Sequence, residues 1–320
     1  MVKFATIGTS WITESFISDA RASASFELVA VYSRDMEKAK VFAKKQNAKM
    51  AYDDLEEMAK SDLIEAVYIA SPNSLHGQQA ELFLKWGKHV ICEKPIVTDT
   101  EQLNHNIELA QKNNVLYMEA MVSPFLPNYE IVKANLWRLG KVRRYIGSYC
   151  QYSSKYDRFK SGELVNAFNP KFGGGALMDL GIYTLYPLID LFGMPESIKA
   201  ESQILDSGID GAGSALLKYK EMDAVLYYSK ISQGKNYSEI QGEEGTLLID
   251  KIGSFEKVYF INLKGEIEDL SQDTACGRMY FEAKHFMETI EQHKSESPII
   301  RYDLMKAVRA VLSQIQKQGK

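Results

Sequence analysis

The sequence predicts an α/β protein in two parts. An N-terminal doubly wound parallel sheet carries helices on both faces, and an α+β domain with a largely antiparallel open sheet follows. Three observations predict this. Short apolar runs alternate with helical patterns up to about residue 120. A glycine turn, Gly8-Thr9-Ser10-Trp11-Ile12-Thr13, separates the first run from the first helical pattern. Beyond residue 197, segments rich in β-branched and aromatic residues, separated by turn signals, replace that order.

Val2–Ile7 is apolar almost throughout and stops at Gly8, as a strand buried on both faces would. Ile12–Ala22 then reads as helix and Glu27–Tyr32 as a second strand. Met36, Ala39 and Ala43 recur at helical spacing with Phe42 beside them. Ala66–Ala70 and His89–Cys92 are two further strands. Between them Ala80, Phe83 and Leu84 mark a helical face that ends at Gly87. Leu103, Ile107 and Ala110 mark another helix, and Val115–Met118 another strand. Strands alternating with helices of this length form βαβ units with right-handed crossovers.

After Met121 the alternation stops. Tyr149–Asn169 is polar and aromatic without periodicity and leads into Gly173-Gly174-Gly175. Ser197–Leu205, Ser214–Tyr219, Ala224–Ile231, Gly245–Ile249 and Lys257–Leu263 read as strands of an antiparallel sheet. Two helices close the chain, one marked by Ala283, Phe286, Met287 and Ile290, the other by Leu304, Ala307, Val308, Val311 and Leu312. The expected domains are residues 1–120, binding a dinucleotide, and 121–320, binding substrate and forming the oligomer contact.

Composition narrows the function. A chain of 320 residues with 45% hydrophobic and 25% charged residues suits two globular domains. A net charge of −4 argues against nucleic acid or a polybasic membrane surface as partner. No apolar run approaches bilayer length on this reading. The N-terminus enters a strand directly, without the apolar core of a signal peptide. Cys92, Cys150 and Cys276 are far apart and lack metal-ligand spacing, so reduced thiols in a cytoplasmic protein are expected and no metal.

The glycine turn occupies the place of the dinucleotide fingerprint G-x-G-x-x-G/A. Only its first glycine is present; Ser10 and Thr13 hold the other two positions. Gly8 suits the tight turn, and the helix start at Ser10, Trp11 and Ile12 offers N–H groups to a pyrophosphate. A plain βα turn would look the same. At the end of the second strand, where an acidic residue selects NAD, stand Ser33 and Arg34, with Lys38 one turn on. A hydroxyl and a guanidinium suit a 2′-phosphate, which favours NADP with NAD still open. Asp35 tempers this, unless it caps the next helix. A solvated helix face would also account for Arg34 and Lys38. Finally, Glu93-Lys94-Pro95 lies just past a parallel strand, where open α/β sheets bind ligands.

Gly8-x-Ser10, Ser71-Pro72-Asn73-Ser74-Leu75-His76, Glu93-Lys94-Pro95 and Gly173-Gly174-Gly175-Ala176-Leu177-Met178-Asp179-Leu180-Gly181-Ile182-Tyr183 occur in this order. The set resembles the Gfo/Idh/MocA oxidoreductases (glucose–fructose oxidoreductase, inositol dehydrogenase and rhizopine catabolism), over nearly the whole chain. Tyrosine at position 183 is most similar to the dihydrodiol and D-xylose dehydrogenase branches. The resemblance implies a Rossmann domain and hydride transfer between a nicotinamide and a secondary alcohol or carbonyl of a sugar, polyol or cyclic diol. It places Lys94 and Tyr183 as catalytic residues, with Asp179 orienting a substrate hydroxyl or Lys94. Ser71, Pro72, Asn73, His76, Glu93 and Lys94 join the cofactor contacts. A Lys94 ammonium stabilises a developing alkoxide, and Tyr183 exchanges the hydroxyl proton. Asp179 and Tyr183, four residues apart, share a face if Asp179–Leu191 is a helix.

Read alone, Asp179 is a helix-start carboxylate, Tyr183 a half-buried tyrosine and His76 a surface residue. The resemblance also implies a homodimer or higher oligomer through the C-terminal sheet. Pro124 and Asn166 stand where relatives often carry Arg, which puts the relatives' substrate preference in doubt. A cofactor-binding regulator without turnover is the rival of another class. A reductase of an unsaturated or pigment substrate is the rival among enzymes.

Overall fold

The computed structural model describes residues 1–23, 25–235 and 237–319. In chain order the N-terminal region runs β1 (Val2–Ile7), α1 (Trp11–Ala22), β2 (Phe26–Tyr32), α2 (Met36–Lys45), β3 (Met50–Tyr52), α3 (Leu55–Lys60), β4 (Ala66–Ile69), α4 (Asn73–Lys85), β5 (His89–Glu93), α5 (Thr100–Lys112) and β6 (Tyr117–Ala120). Its six strands are parallel and ordered β3-β2-β1-β4-β5-β6. The winding leaves β1 in one direction and resumes at β4 on the other side. The β1/β4 boundary is therefore a topological switch point, and the loops leaving the carboxyl ends there part to form a crevice. Every residue of β4 is buried, which requires the continuous apolar run Ala66–Ile69. Asp35, Asp54 and Asp99 cap α2, α3 and α5 by accepting from first-turn N–H groups.

The chain continues through α6 (Pro127–Asn135), β7 (Val142–Cys150), α7 (Tyr156–Lys160) and a π-helical turn (Leu177–Gly181) into α8 (Ile182–Phe192). Then come β8 (Ser197–Ile204), β9 (Asp210–Lys218), β10 (Asp223–Ser229), β11 (Tyr237–Gly242), β12 (Gly245–Asp250), β13 (Lys257–Asn262), β14 (Ile267–Asp269), α9 (Tyr280–Glu291) and α10 (Tyr302–Gln318). The second sheet has order β14-β13-β12-β11-β7-β10-β9-β8. It is antiparallel except where β7 lies parallel to β10. Against one face packs α8, where the Tyr145 hydroxyl donates to the Thr184 carbonyl at 2.9 Å.

The chain divides into two compact units, Met1–Val122 with Ala275–Met305, and Ser123–Thr274 with Lys306–Lys320. Helix α9 thus falls with the first unit, not with the second as its place in the chain suggested. Its apolar face explains this: Ala283, Phe286 and Met287 are buried, and the Phe286 ring lies 5.7 Å from that of Phe4 on β1.

Several elements escape the sequence reading. Strand β7 carries Arg143 and Arg144, which look like loop residues. They lie exposed and pair across strands, Arg144 with Asp223 at 2.7 Å and Arg143 with Glu243. Strand β6 begins two residues later than expected and includes a buried carboxylate, because Glu119 accepts the Ile96 N–H at 2.9 Å inside the fold. β3, α3, α6, β11 and β14 are too short or too polar to announce themselves by period. The segment 170–192 is also a correction: it is long and apolar enough to cross a membrane by length and composition, but 72% of its most apolar stretch is buried within the protein.

His89, at the start of β5, accepts the Leu116 N–H through Nδ1 at 2.9 Å, and burial holds its imidazole down at about 4. Its contribution is therefore present above the ordinary value of 6.5 and is lost as pH falls towards 4. His89→Gln, which keeps an acceptor, should shrink the acid loss of stability across that window by up to about 3 kcal/mol. Urea midpoints at stepped pH measure it, and an unchanged acid limb would refute it.

Candidate active site

The expected cofactor residues follow the carboxyl ends of β1, β2, β4 and β5, on both sides of the switch point. Gly8 has φ +110, and a Cβ there would sit 2.8 Å from the Ala70 carbonyl oxygen. Only glycine fits this turn. Ser10 is the extended N-cap of α1, yet its side chain makes no capping bond. Trp11 is 72% exposed and Ile12 is half-buried, so the helix start presents backbone donors at an open edge. Thr13 is buried where the fingerprint has its last glycine, its hydroxyl without a hydrogen-bond partner among the described residues.

After β2, Ser33 is half-buried and Arg34 exposed. The Asp35 carboxylate accepts from the Glu37 and Lys38 N–H groups at 3.0 and 3.2 Å and pairs with the Lys38 ammonium at 3.7 Å. It is the cap of α2, so the acidic residue beside Arg34 is committed to its own helix. The donor set fits a dinucleotide: a glycine turn that admits no side chain, an uncapped helix start and an exposed guanidinium.

After β4, Pro72 is the N-cap of α4 and Asn73 its first residue. The Ser71 hydroxyl donates to Gln79 Oε1 at 2.6 Å. His76 is buried in the first turn of α4 and is no surface residue. Its Nδ1 lies 2.9 Å from the Pro95 carbonyl and its Nε2 2.8 Å from the Ser71 carbonyl. Burial pushes its pKa down, against the pull of both carbonyls. The imidazole thus ties the Ser71 loop to the Lys94-Pro95 loop, whose peptide is cis. Glu93 is likewise turned to the fold: it accepts the Tyr68 hydroxyl at 2.6 Å, and burial pushes its carboxyl up against the opposing Lys94 charge.

In the second unit Asp179 and Tyr183 lie on consecutive turns of one apolar segment. The segment is not α-helical from Asp179 to Leu191: Asp179 sits in the π-helical turn and Tyr183 in α8. Tyr183 is 8% exposed, and its ring meets that of Tyr149 edge-on at 5.6 Å. Asp179 forms an ion pair with Lys230, which is 6% exposed. Lys230 also donates to the Ala167 carbonyl at 3.3 Å and lies 5.2 Å from the Phe168 ring centre. Asp210 completes this group of charges. Its Oδ2 accepts the Leu177 N–H at 2.7 Å, and a Cβ on Gly175 would overlap its Oδ1. This clash explains Gly175, at φ +117, within the glycine triplet. Burial pushes Asp210 up to about 6, against the opposing pull of the Leu177 N–H.

Sequence reasoning missed Lys230 and Asp210. A signal for Lys230 existed, since Ala224, Leu226 and Tyr228 share the inward parity of β10, Lys230 just past its end continues that parity, and all four are buried. Nothing local marked Asp210. Among the described residues no group of three or more His, Cys, Asp or Glu could hold a metal ion.

A doubly wound sheet with a dinucleotide turn, followed by an open antiparallel sheet, defines a nicotinamide-dependent oxidoreductase. Residues 2–121 match the family model described as the oxidoreductase family with an NAD-binding Rossmann fold. Residues 137–248 match that of the GFO/IDH/MocA C-terminal domain, and the chain belongs to this family. It is 45% identical over 318 residues to the scyllo-inositol 2-dehydrogenase (NADP(+)) of Bacillus subtilis, covering 99% of this chain and 97% of that one. It is 29% identical to the trans-1,2-dihydrobenzene-1,2-diol dehydrogenase of Xenopus tropicalis, covering 91% and 89%. A 3-ketoreductase from Actinomadura kijaniata has the same fold, with TM-score 0.87 at 20% identity over 99% of this chain and 97% of that one.

Asp210 yields a test of the charge group. Between its ordinary value of 3.8 and about 6, the folded protein holds a proton that the unfolded chain has released, so stability falls as pH rises. Asp210→Asn keeps an acceptor for the Leu177 N–H and removes the ionisation. Its stability should be flatter with pH there, by up to about 3 kcal/mol by pH 7. Parallel curves for the two proteins in denaturant titrations would contradict the assignment.

Proposed function

We propose that this protein moves a hydride between NADP(H) and a secondary alcohol of a cyclic polyol, an inositol first among the candidates. The similarity to a scyllo-inositol 2-dehydrogenase (NADP(+)) across 99% of the chain carries this reading. Bound NADP+ supplies the hydride acceptor. Tyr183 takes the hydroxyl proton, and Lys94 stabilises the negative charge that develops on that oxygen. Asp179 accepts a hydrogen bond from a substrate hydroxyl and orients the ring. Gly8, Ser10, Trp11 and Ile12 hold the pyrophosphate, and Ser33, Arg34 and Lys38 the ribose phosphate. Ser71, Pro72 and Asn73 border the nicotinamide. His76 and Glu93 serve from beneath, His76 by joining the loops that carry Ser71 and Lys94. The first unit is the dinucleotide-binding domain and the second binds substrate.

The working form we propose is a cytoplasmic homo-oligomer, supported by exposed Leu216, Tyr227 and Tyr237 on the second sheet.

Lys94→Ala and Tyr183→Phe should each lower kcat by about 100-fold or more, with NADPH affinity little changed. Nicotinamide absorbance with scyllo-inositol, myo-inositol, aldoses and cyclic diols reads this out, and wild-type rates in both variants would remove the catalytic assignment. Tight NADPH binding with no turnover of any of them would favour the regulator instead.

Fluorescence titration should show NADPH bound more tightly than NADH, with Arg34→Ala losing about 10- to 100-fold for NADPH alone. Equal affinities for the two cofactors would refute the reading of Ser33 and Arg34.

A further inference from the structure

We infer that Lys230 is a positioning residue for Asp179, an inference that rests on the polyol oxidoreductase reading. A lysine is almost never this buried without a partner, because removing an ammonium from water is costly. Lys230 has three partners: the Asp179 carboxylate, the Ala167 carbonyl at 3.3 Å and the Phe168 ring at 5.2 Å. They come from two segments, the π-helical turn that leads to Tyr183 and the irregular stretch before the glycine triplet. Lys230 follows β10 directly, and its backbone N–H donates to the Gly211 carbonyl at 2.8 Å, so its own position is set by the sheet.

The charge balance makes the arrangement specific. Asp179 faces Lys230, while Asp210, on the neighbouring strand β9, adds a second carboxyl whose charge acts on both. Asp210 is spoken for by the Leu177 N–H at the start of the π-helical turn. The Lys230 ammonium is thereby directed to Asp179 and fixes its direction. A carboxylate so held accepts a hydrogen bond from a substrate hydroxyl along one line, which suits a polyol whose neighbouring hydroxyls must be told apart. A carboxylate without this partner would turn away, and the polyol would bind in several registers.

A double-mutant cycle tests this, with Lys230→Met, Asp179→Asn and both together, assayed with NADP+ and scyllo-inositol. Each single variant should lower kcat/KM by roughly 30- to 100-fold, with the polyol KM raised and the NADP+ KM unchanged. The double variant should be no worse than the worse single one, because Lys230 acts only through Asp179. Lys230→Arg should recover activity to within about 10-fold of wild type, since a guanidinium can also pair with the carboxylate. Thermal unfolding of all forms runs alongside: both single variants should melt earlier than the double, which leaves neither member of the pair without the other. Active wild type with multiplying losses in the double variant, or Lys230→Met as active as wild type, would overturn this inference alone. Wild type inert on every polyol would overturn the underlying reading and this inference with it.

Discussion

A side chain at position 8 would meet the backbone of Ala70, and the first unit is arranged around that prohibition. With only hydrogen on its α-carbon, Gly8 lets the chain turn at φ +110 against the end of β4 and enter α1 at once. The two strands that flank the switch point can then lie side by side with their loops diverging. Ser71, Pro72 and His76 leave from the end of β4, and the His76 ring carries the constraint one strand further by bonding to Pro95. Backbone sterics at one residue thus fix the placement of three loops.

The second unit solves a different problem with charge. Its chemistry-bearing segment begins with a π-helical turn, and the first N–H groups of any helix lack partners within it. Asp210 meets one of them at Leu177, and Lys230 balances the carboxylates gathered there. These groups come from β9 and the end of β10, far along the chain from the glycine triplet they support.

That distance explains what was legible in the sequence. Val2–Ile7 could be read to the residue because a strand buried on both faces is apolar almost throughout. Gly8 could be read because a turn of this kind tolerates little else. Strand β6 was blurred by Glu119, whose partner, the Ile96 N–H, lies in another loop. Asp179 and Tyr183 stand out by motif, but the π-helical turn that holds Asp179 does not, since no residue pattern distinguishes it from α. Read alone, His76 looks like a surface residue, because its two carbonyl partners come from separate loops. Lys230 is legible on the inward parity that continues from β10, although charge at a strand end normally meets solvent. Local rules were readable; pairings across long stretches of chain were not.

The return of α9 to the first unit has a consequence for biosynthesis. The six parallel strands are made before the second unit, but Phe286, which rests on Phe4 of the first strand, is made after most of it. Until then the surface of Phe4 and α1 that α9 covers stays open. The nascent sheet must wait with apolar surface open while the whole second unit is translated, which is the situation that recruits chaperones. The order of synthesis and the order of completion run opposite ways: the half of the chain that begins first is finished late.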